Sequence, residues 1–330
     1  MAILIPGGAG YIGSHAARRF LAQGEDVVII DNLQSGHRAS LPEKAKFYEG
    51  DIRDAKALDK VFGENQIEAI IHFAANSLVG ESVEKPLKYF NNNVGGMESL
   101  LEAMVRYGTK YIVFSSTAAT YGEPKRVPIQ EDDPTEPTNP YGETKRMMER
   151  MMNWVGKAHN IHYVSLRYFN AAGAIPDGSI GEDHGPETHL IPLILQVPLH
   201  KRDHITIFGD DYPTPDGTCL RDYIHVMDLA DAHALALQYL REGGESQIFN
   251  LGNGKGFSVK EMIEAAEEVT EQKIKAEIGP RRAGDPAQLV ASSDKARRVL
   301  GWKPKYTDVR AIIATAWEWH KKHPNGYAEA

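Results

Sequence analysis

Cysteine, positive charge and long apolar runs are what this chain has least of. Its 330 residues include one cysteine, Cys219, which cannot close an internal disulfide and has no second thiol for a metal knuckle. That fits a reducing compartment and leaves Cys219 as a packing residue. Lys and Arg number 37 against 45 Asp and Glu, a formal net charge of -8. A nucleic-acid or anionic-membrane partner, which selects basic surface, is therefore not expected. A phosphorylated small molecule stays open, because a few local arginines suffice to hold it. No segment approaches the ~20 apolar residues of a membrane span. The first apolar run ends at Pro6-Gly7-Gly8, too short for a signal-peptide core. A cytoplasmic protein is expected. With 42% hydrophobic and 25% charged residues and no low-complexity tract, the chain reads as globular rather than disordered.

What is present alternates. Short β-like runs at 2–6, 26–30, 45–48, 68–73, 110–115 and 162–168 are separated by helical stretches near 12–23, 82–107 and 140–158. That order predicts an α/β fold with a Rossmann-type, doubly wound parallel sheet. The pattern breaks at Gly173-Ala174-Ile175-Pro176-Asp177-Gly178-Ser179, and the remainder is richer in Pro, Gly and His, with a loop over 210–217. We read residues 1–172 as a dinucleotide-binding domain and 173–330 as a smaller α/β substrate-binding region. Segments 226–241, 247–251 and 258–270 are candidates to return to the first domain.

The loop Gly7-Gly8-Ala9-Gly10-Tyr11-Ile12-Gly13 follows the apolar run Ala2-Ile3-Leu4-Ile5 and opens a helical pattern. Glycines there let the backbone turn sharply and approach a pyrophosphate, whose charge sits at the helix N-terminus. Three glycines alone are a weak signal, since many strand-to-helix turns use them for reversal. The run Val27-Val28-Ile29-Ile30 ending in Asp31 strengthens it. A carboxylate there accepts from both hydroxyls of an adenosine ribose and repels a 2′-phosphate, which points to NAD rather than NADP.

Asn139 and Pro140 read as N-cap and first-turn proline of a helix that places Tyr141 and Lys145 one turn apart on one face. Tyr-x-x-x-Lys is common as a surface pair with the lysine stem over the ring. Downstream of a dinucleotide loop it points to redox chemistry on a bound nicotinamide. A phenol with pKa near ~10 is a poor base at neutral pH, and a neighbouring ammonium favours its phenolate. Met148, Met152 and Val155, with Leu100, Leu101 and Met104, supply apolar stripes for core packing or for a subunit interface.

Further blocks complete a resemblance. They include Asp31-Asn32-Leu33, Gly50-Asp51-Ile52, His72-Phe73-Ala74-Ala75, Asn91-Asn92-Asn93-Val94, Ser115-Ser116-Thr117, Asn139-Pro140-Tyr141-Gly142 and Tyr168-Phe169-Asn170. Two more are Gly217-Thr218-Cys219-Leu220-Arg221-Asp222-Tyr223-Ile224-His225-Val226 and Arg281-Arg282-Ala283-Gly284-Asp285. Nearly end to end, the chain resembles the extended short-chain dehydrogenase/reductases, most closely their UDP-sugar 4-epimerase branch. The resemblance implies interconversion of UDP-glucose and UDP-galactose by transient oxidation at sugar C4. A 4-keto sugar then turns over and is reduced from its other face. It implies a tightly bound NAD, regenerated each cycle, and a homodimer built on the two long helices.

By the same resemblance Tyr141, Lys145 and Thr117 are catalytic: Tyr141 exchanges the proton of the 4-hydroxyl, Lys145 depresses its pKa, and Thr117 bonds the reacting oxygen. NAD is implied at Gly7, Gly10, Tyr11, Ile12, Gly13, Asp31, Asn32, Leu33, Ser35, Gly36, Asp51, Ile52, Phe73, Ala74, Ala75, Ser77, Asn92, Ser115 and Tyr168 besides Tyr141 and Lys145. Besides Thr117 and Tyr141, the UDP-sugar is implied at Phe169, Asn170, His189, Leu190, Thr206, Phe208, Arg221, Arg282 and Asp285.

Four positions depart from the pattern or leave it open. Pro6 stands where relatives carry Thr, Ser77 where some carry a lysine for the cofactor phosphates, and His189 where many carry Asn. Leu289, a pocket-wall position, has middling bulk and leaves the sugar's 2-substituent open. Among the thirteen histidines, His184, His189, His200 and His204 lack paired helical spacing and a third ligand, so no metal is expected. The rival readings are another UDP-sugar 4-epimerase for N-acetylhexosamines or uronates, a nucleotide-sugar 4,6-dehydratase, and a non-enzymatic NAD sensor. Ala118 and Ala119 stand where a dehydratase needs an acid pair, and retention of Thr117, Tyr141 and Lys145 argues against a sensor.

Overall fold

The structure, a computed structural model, describes residues 1–282 and 286–328. Its first half runs β1 (Ala2–Pro6), α1 (Tyr11–Ala22), β2 (Asp26–Asp31), β3 (Lys46–Glu49), α2 (Ala55–Glu64), β4 (Ile67–His72), α3 (Val79–Glu84) and α4 (Pro86–Tyr89). It continues with a π-helical turn (Phe90–Gly95), α5 (Gly96–Tyr107), β5 (Tyr111–Ser115), α6 (Pro140–His159), β6 (His162–Arg167) and β7 (Asn170–Ala172). The remainder holds α7 (Leu190–Leu195), β8 (Ile205–Phe208), β9 (Leu220–Arg221), β10 (Tyr223–His225), α8 (Val226–Arg241), β11 (Gln247–Asn250) and β12 (Phe257–Ser258). Last come α9 (Val259–Thr270), β13 (Ala276–Gly279), β14 (Gln288–Leu289), α10 (Asp294–Val299) and α11 (Val309–Lys322).

Seven strands form one parallel sheet in the order β11-β6-β5-β4-β1-β2-β3. The chain winds from β1 to β3 in one direction, then returns to β4 and winds in the other. Loops after β1 and β4 therefore leave the sheet at adjacent C-terminal ends on opposite sides, which opens a crevice there. Alternation in β1 divides the core. Ile3 and Ile5 face a layer containing Phe20 of α1 and Leu229 and Leu237 of α8, whereas Leu4 faces Leu100, Met104, Met148 and Met152 of α5 and α6. A separate apolar cluster built on α7, α9 and α11 carries the C-terminal region. That region also returns to the sheet: α8 packs on α1, and β11 pairs with β6 at the sheet edge.

Segment 258–270, the third candidate to return, instead packs as α9 on α7 and α11, and the local reading differs at two further places. The single helix over 82–107 is interrupted, because Pro86 lacks an N–H and opens a new turn, and Phe90–Gly95 is π-helical. Helix α2 was not anticipated, although Asp54 caps it by accepting from the Lys56 N–H at 2.9 Å and Leu58, Val61 and Phe62 form its buried stripe. Among the described residues no helix is long and apolar enough to cross a membrane.

Candidate active site

The crevice floor is the glycine loop. A Cβ on Gly13 would lie 2.1 Å from the Gly7 carbonyl oxygen, and one on Gly7, at φ +79°, would lie 2.5 Å from the Ala74 nitrogen. Both glycines are thus required by backbone packing. Gly10 differs. Its backbone is extended (φ -78°, ψ 173°), and a Cβ there would meet only the Gly7 oxygen, at 3.4 Å. The protein leaves room at Gly10, and a side chain would fill the cradle over the uncapped N-terminus of α1. Tyr11 and Ile12 open that helix, with the Tyr11 hydroxyl donating to the Gly173 carbonyl at 2.5 Å and Ile12 packed on the core.

Asp31 ends β2 and is nearly buried. Its two oxygens accept from the Ala9 N–H at 3.0 Å and the Leu33 N–H at 2.8 Å, so the carboxylate is held edge-on to the crevice. Burial raises its pKa and the two backbone bonds oppose that. Leu33 adopts the left-handed region (φ 56°), which turns Asn32 toward Asp51 with an amide-to-carboxylate bond of 3.1 Å. Arg53 bonds both oxygens of Asp51 and holds that carboxyl down to about 2. Asn32, Ser35, Asp51, Ile52, Phe73, Ala74, Ala75 and Asn92 line the same cleft as Gly7, Gly10 and Asp31. Gly36 packs its backbone against Ala9, where a Cβ would sit 2.8 Å from the Ala9 carbonyl carbon.

Pro6 costs the sheet little, since it is the last residue of β1, and its carbonyl accepts from both Phe73 and Ala74 N–H groups at 2.9 and 3.0 Å. This aims the loop after β4 into the cleft. Ser77, further along the loop, is exposed. Sequence reasoning missed Gln34, Asn76 and Asn93. Gln34 donates to Asn76 at 3.2 Å. Fully buried Asn93 accepts from the Asn76 N–H at 2.8 Å and donates to Thr144 of α6 at 3.0 Å. Asn93 thus ties the cleft to the helix of Tyr141 and Lys145. The asparagine run was visible in the sequence, but only the π-helical turn shows which member points inward.

Asn139 caps α6 through a 2.8 Å bond from the Gly142 N–H, and Pro140 occupies the first turn. Lys145, 3% exposed, donates to the Ser115 carbonyl at 2.8 Å and stands 6.0 Å from the Tyr141 ring centroid. The Ser115 hydroxyl makes a short hydrogen bond with the Tyr168 hydroxyl. Thr117 lies two residues beyond β5, its oxygen accepting from the Ala119 N–H at 3.1 Å. Burial pushes the Tyr141 phenol up to about 12, opposed by the Thr117 hydroxyl beside it. Burial pulls Lys145 down to about 7, opposed by the Glu149 carboxylate. In the protein alone burial is the larger influence on the phenol.

The other predicted site residues lie around β7 and in the C-terminal region. Phe169 and Leu289 pack on Ala118, Tyr121 and Ile129, and the Asn170 amide donates to the Asp222 carbonyl at 3.1 Å. Arg221 on β9 is joined through backbone pairing to Phe257 and Leu289. Thr206 and Phe208 lie on β8, with the Arg282 guanidinium 3.9 Å from the Phe208 ring centroid. His189 precedes α7 without a side-chain capping bond and Leu190 begins the helix; the His189 ring faces Glu182. Asp285 lies outside the described residues. Buried Glu182 and its neighbour Glu187 were not singled out in the sequence.

The cradle at Gly10, the uncapped helix end and the oriented Asp31 carboxylate fit a dinucleotide.

The family model described as "NAD dependent epimerase/dehydratase family" matches residues 3–252. UDP-glucose 4-epimerase of Halalkalibacterium halodurans is 60% identical over 99% of this chain and 98% of its own length. A crystal structure of a UDP-glucose 4-epimerase, 59% identical, superposes with a TM-score of 0.98 over 100% of both chains. The Bifidobacterium longum UDP-glucose 4-epimerase, solved with NAD+ and UDP, is 39% identical with a TM-score of 0.93 over 99% of this chain and 100% of that one. This chain belongs to the NAD dependent epimerase/dehydratase family.

Proposed function

We propose that this enzyme interconverts UDP-glucose and UDP-galactose, inverting C4 by transient oxidation to a 4-keto sugar, in galactose and nucleotide-sugar metabolism. The observation that carries the reading is the meeting of Thr117, Tyr141 and Lys145 at the start of α6, the helix that Asn93 ties to a cleft lined by Gly7, Gly10 and Asp31. Bound NAD would supply reversible two-electron oxidation at C4; the glycine loop would hold its pyrophosphate, Asp31 its adenosine ribose, and Lys145 its nicotinamide ribose.

Tyr141 exchanges a proton with the C4 oxygen. With its pKa near 12 the phenol is protonated at neutral pH and suited to returning a proton. Taking one up from the sugar requires positive charge beside the ring, which Lys145 supplies when protonated. Lys145 near 7 is poised between its two forms. Thr117 bonds the reacting oxygen and keeps it in line with the phenol.

Residues 1–172 serve the cofactor and the proton chemistry, and 173–330 serve the UDP-sugar, with α8 and β11 returning to the first unit. Arg221 and Arg282 grip the diphosphate and ribose, Thr206 and Phe208 the uracil, and Asn170, Phe169, His189 and Leu190 complete the pocket. We also propose a homodimer in the cytoplasm. Leu100, Met104, Met148 and Met152 are consumed by the core, but the adjoining faces of α5 and α6 leave a groove of about 920 Å³ lined by Leu101, Val105, Met151 and the exposed Trp154.

The experiment is to incubate purified protein, without added cofactor, separately with UDP-galactose and UDP-N-acetylgalactosamine and to resolve the products. UDP-glucose from the first is expected and shows that NAD stays bound. A 4-keto-6-deoxy product would replace the epimerase reading with a dehydratase.

A further inference from the structure

We propose that Glu182, His184, Glu187 and His189 form a binding site for one zinc-class divalent cation. One ligand atom from each lies within 4.8 Å of every other. His184 Nδ1 is 3.3 Å from Glu182 Oε1 and 3.6 Å from Glu187 Oε2, His189 Nδ1 is 3.9 Å from Glu187 Oε1, and His189 makes a short contact to Glu182. In a tetrahedral site with bonds of ~2.0–2.1 Å, ligand atoms stand ~3.3 Å apart, so only small side-chain shifts separate this cluster from coordination. The two imidazole planes cross at 82° with centroids 5.3 Å apart, so the rings flank the carboxylates without stacking on each other.

The donors are presented by a fixed loop. Trp319 Nε1 donates to the Glu182 carbonyl at 2.9 Å, and Gly181 lies flat on the Trp319 ring, where a Cβ would come within 2.2 Å. Glu187 Oε1 accepts from the Thr188 and His189 N–H groups at 2.7 and 2.8 Å, which turns its other oxygen to His184. Glu182 is 4% exposed. Two carboxylates and two neutral imidazoles carry a charge of about -2, which one divalent ion balances. The imidazoles select zinc, cobalt or nickel over magnesium or calcium, which prefer oxygen alone.

The sequence carries the signal as Glu-x-His-x-x-Glu-x-His over 182–189, in which the carboxylates supply the ligands that the histidines lack. His200 and His204 stand apart; His204 pairs with Glu277. Coordination through Nδ1 leaves Nε2 of His189 to carry the ring proton, a fixed donor at the position proposed above for substrate. That consequence rests on the proposed function; metal binding itself does not.

The test uses the metal alone. Full-length protein is dialysed against a chelator, then titrated with Co2+, followed by displacement with Zn2+. One equivalent of Co2+ with the visible bands of a four-coordinate ion is expected, and X-ray absorption of the wild-type complex should show two imidazole ligands. His184→Ala and Glu182→Gln should each weaken uptake at least ~100-fold while His200→Ala leaves it unchanged, with circular dichroism confirming the folds. Without stoichiometric uptake the cluster is two protonated imidazoles paired with two carboxylates, and the proposal is overturned. Uptake indifferent to His184 and Glu182, or a wild-type spectrum lacking imidazole, overturns it equally. These readouts need no substrate, so their failure leaves the epimerase reading standing.

Discussion

The Lys145 ammonium is anchored to the Ser115 carbonyl at 2.8 Å, at the end of β5, rather than to the Tyr141 hydroxyl. Its position therefore does not depend on the phenol. Tyr141→Phe should leave Lys145 and the cofactor cleft in place while removing the proton exchanger. We expect kcat for UDP-galactose to fall by ~10²–10⁴-fold with bound NAD unchanged. Turnover within threefold of wild type would remove Tyr141 from its assigned role.

Gly10 and Gly13 make opposite demands and give a paired prediction. Gly13→Ala drives a methyl to 2.1 Å from the Gly7 oxygen and should destabilise the apoprotein by ~1–3 kcal/mol or more. Gly10→Ala meets only an atom at 3.4 Å and should cost the apoprotein less than ~1 kcal/mol. It should nonetheless weaken NAD at least ~10-fold, because the methyl occupies the pyrophosphate cradle. Urea midpoints of apoprotein and a cofactor titration separate the two. Equal NAD affinity in Gly10→Ala and wild type would contradict the cradle.

Much of this was legible beforehand, for identifiable reasons. Strands such as Ile3-Leu4-Ile5 and Val27-Val28-Ile29 are buried on both faces and so stand out as continuous apolar runs. Asn139-Pro140 marks a helix start by side-chain chemistry that acts within three residues. The π-helical turn escaped because no local pattern distinguishes it from α-helix, and it alone turns Asn93 toward Asn76 and Thr144. The proton affinities of Tyr141 and Lys145 escaped for another reason. Spacing on a helix shows that two groups are near, but desolvation depends on what the rest of the chain packs around them.

The Arg167–Glu149 pair is a buried charge couple behind this site. Arg167 donates to Glu149 through Nε at 2.9 Å and Nη2 at 2.5 Å, and the Ser116 hydroxyl adds a 2.6 Å bond to the same carboxylate. Both side chains are nearly inaccessible, at 4% and 6% exposure. Arg167→Met strands a buried carboxylate and should cost ~3–5 kcal/mol, whereas Arg167→Met with Glu149→Met should recover most of that loss. Urea unfolding of the two variants checks this. A double variant no more stable than the single one would show that the pair matters through more than its charge.

Lys145 also predicts how stability changes with pH. Its pKa is about 7 in the folded protein against 10.5 for a free side chain, so between those values the unfolded chain binds one more proton. Stability then rises with pH across the window, by at most ~1.4 kcal/mol per unit. Below pH 7 both states carry the proton and the unfavourable contribution is constant. Lys145→Met removes the whole effect. The variant's stability relative to wild type should be highest near pH 7 and should decline steadily toward pH 9.5. Tyr141, raised from 10.0 to about 12, is common to both proteins and titrates above that range. Urea unfolding at half-unit intervals from pH 7 to 9.5 measures the difference directly. A constant gap over that range would mean that Lys145 is solvated in the folded protein, and its burial beside Ser115 would have to be abandoned.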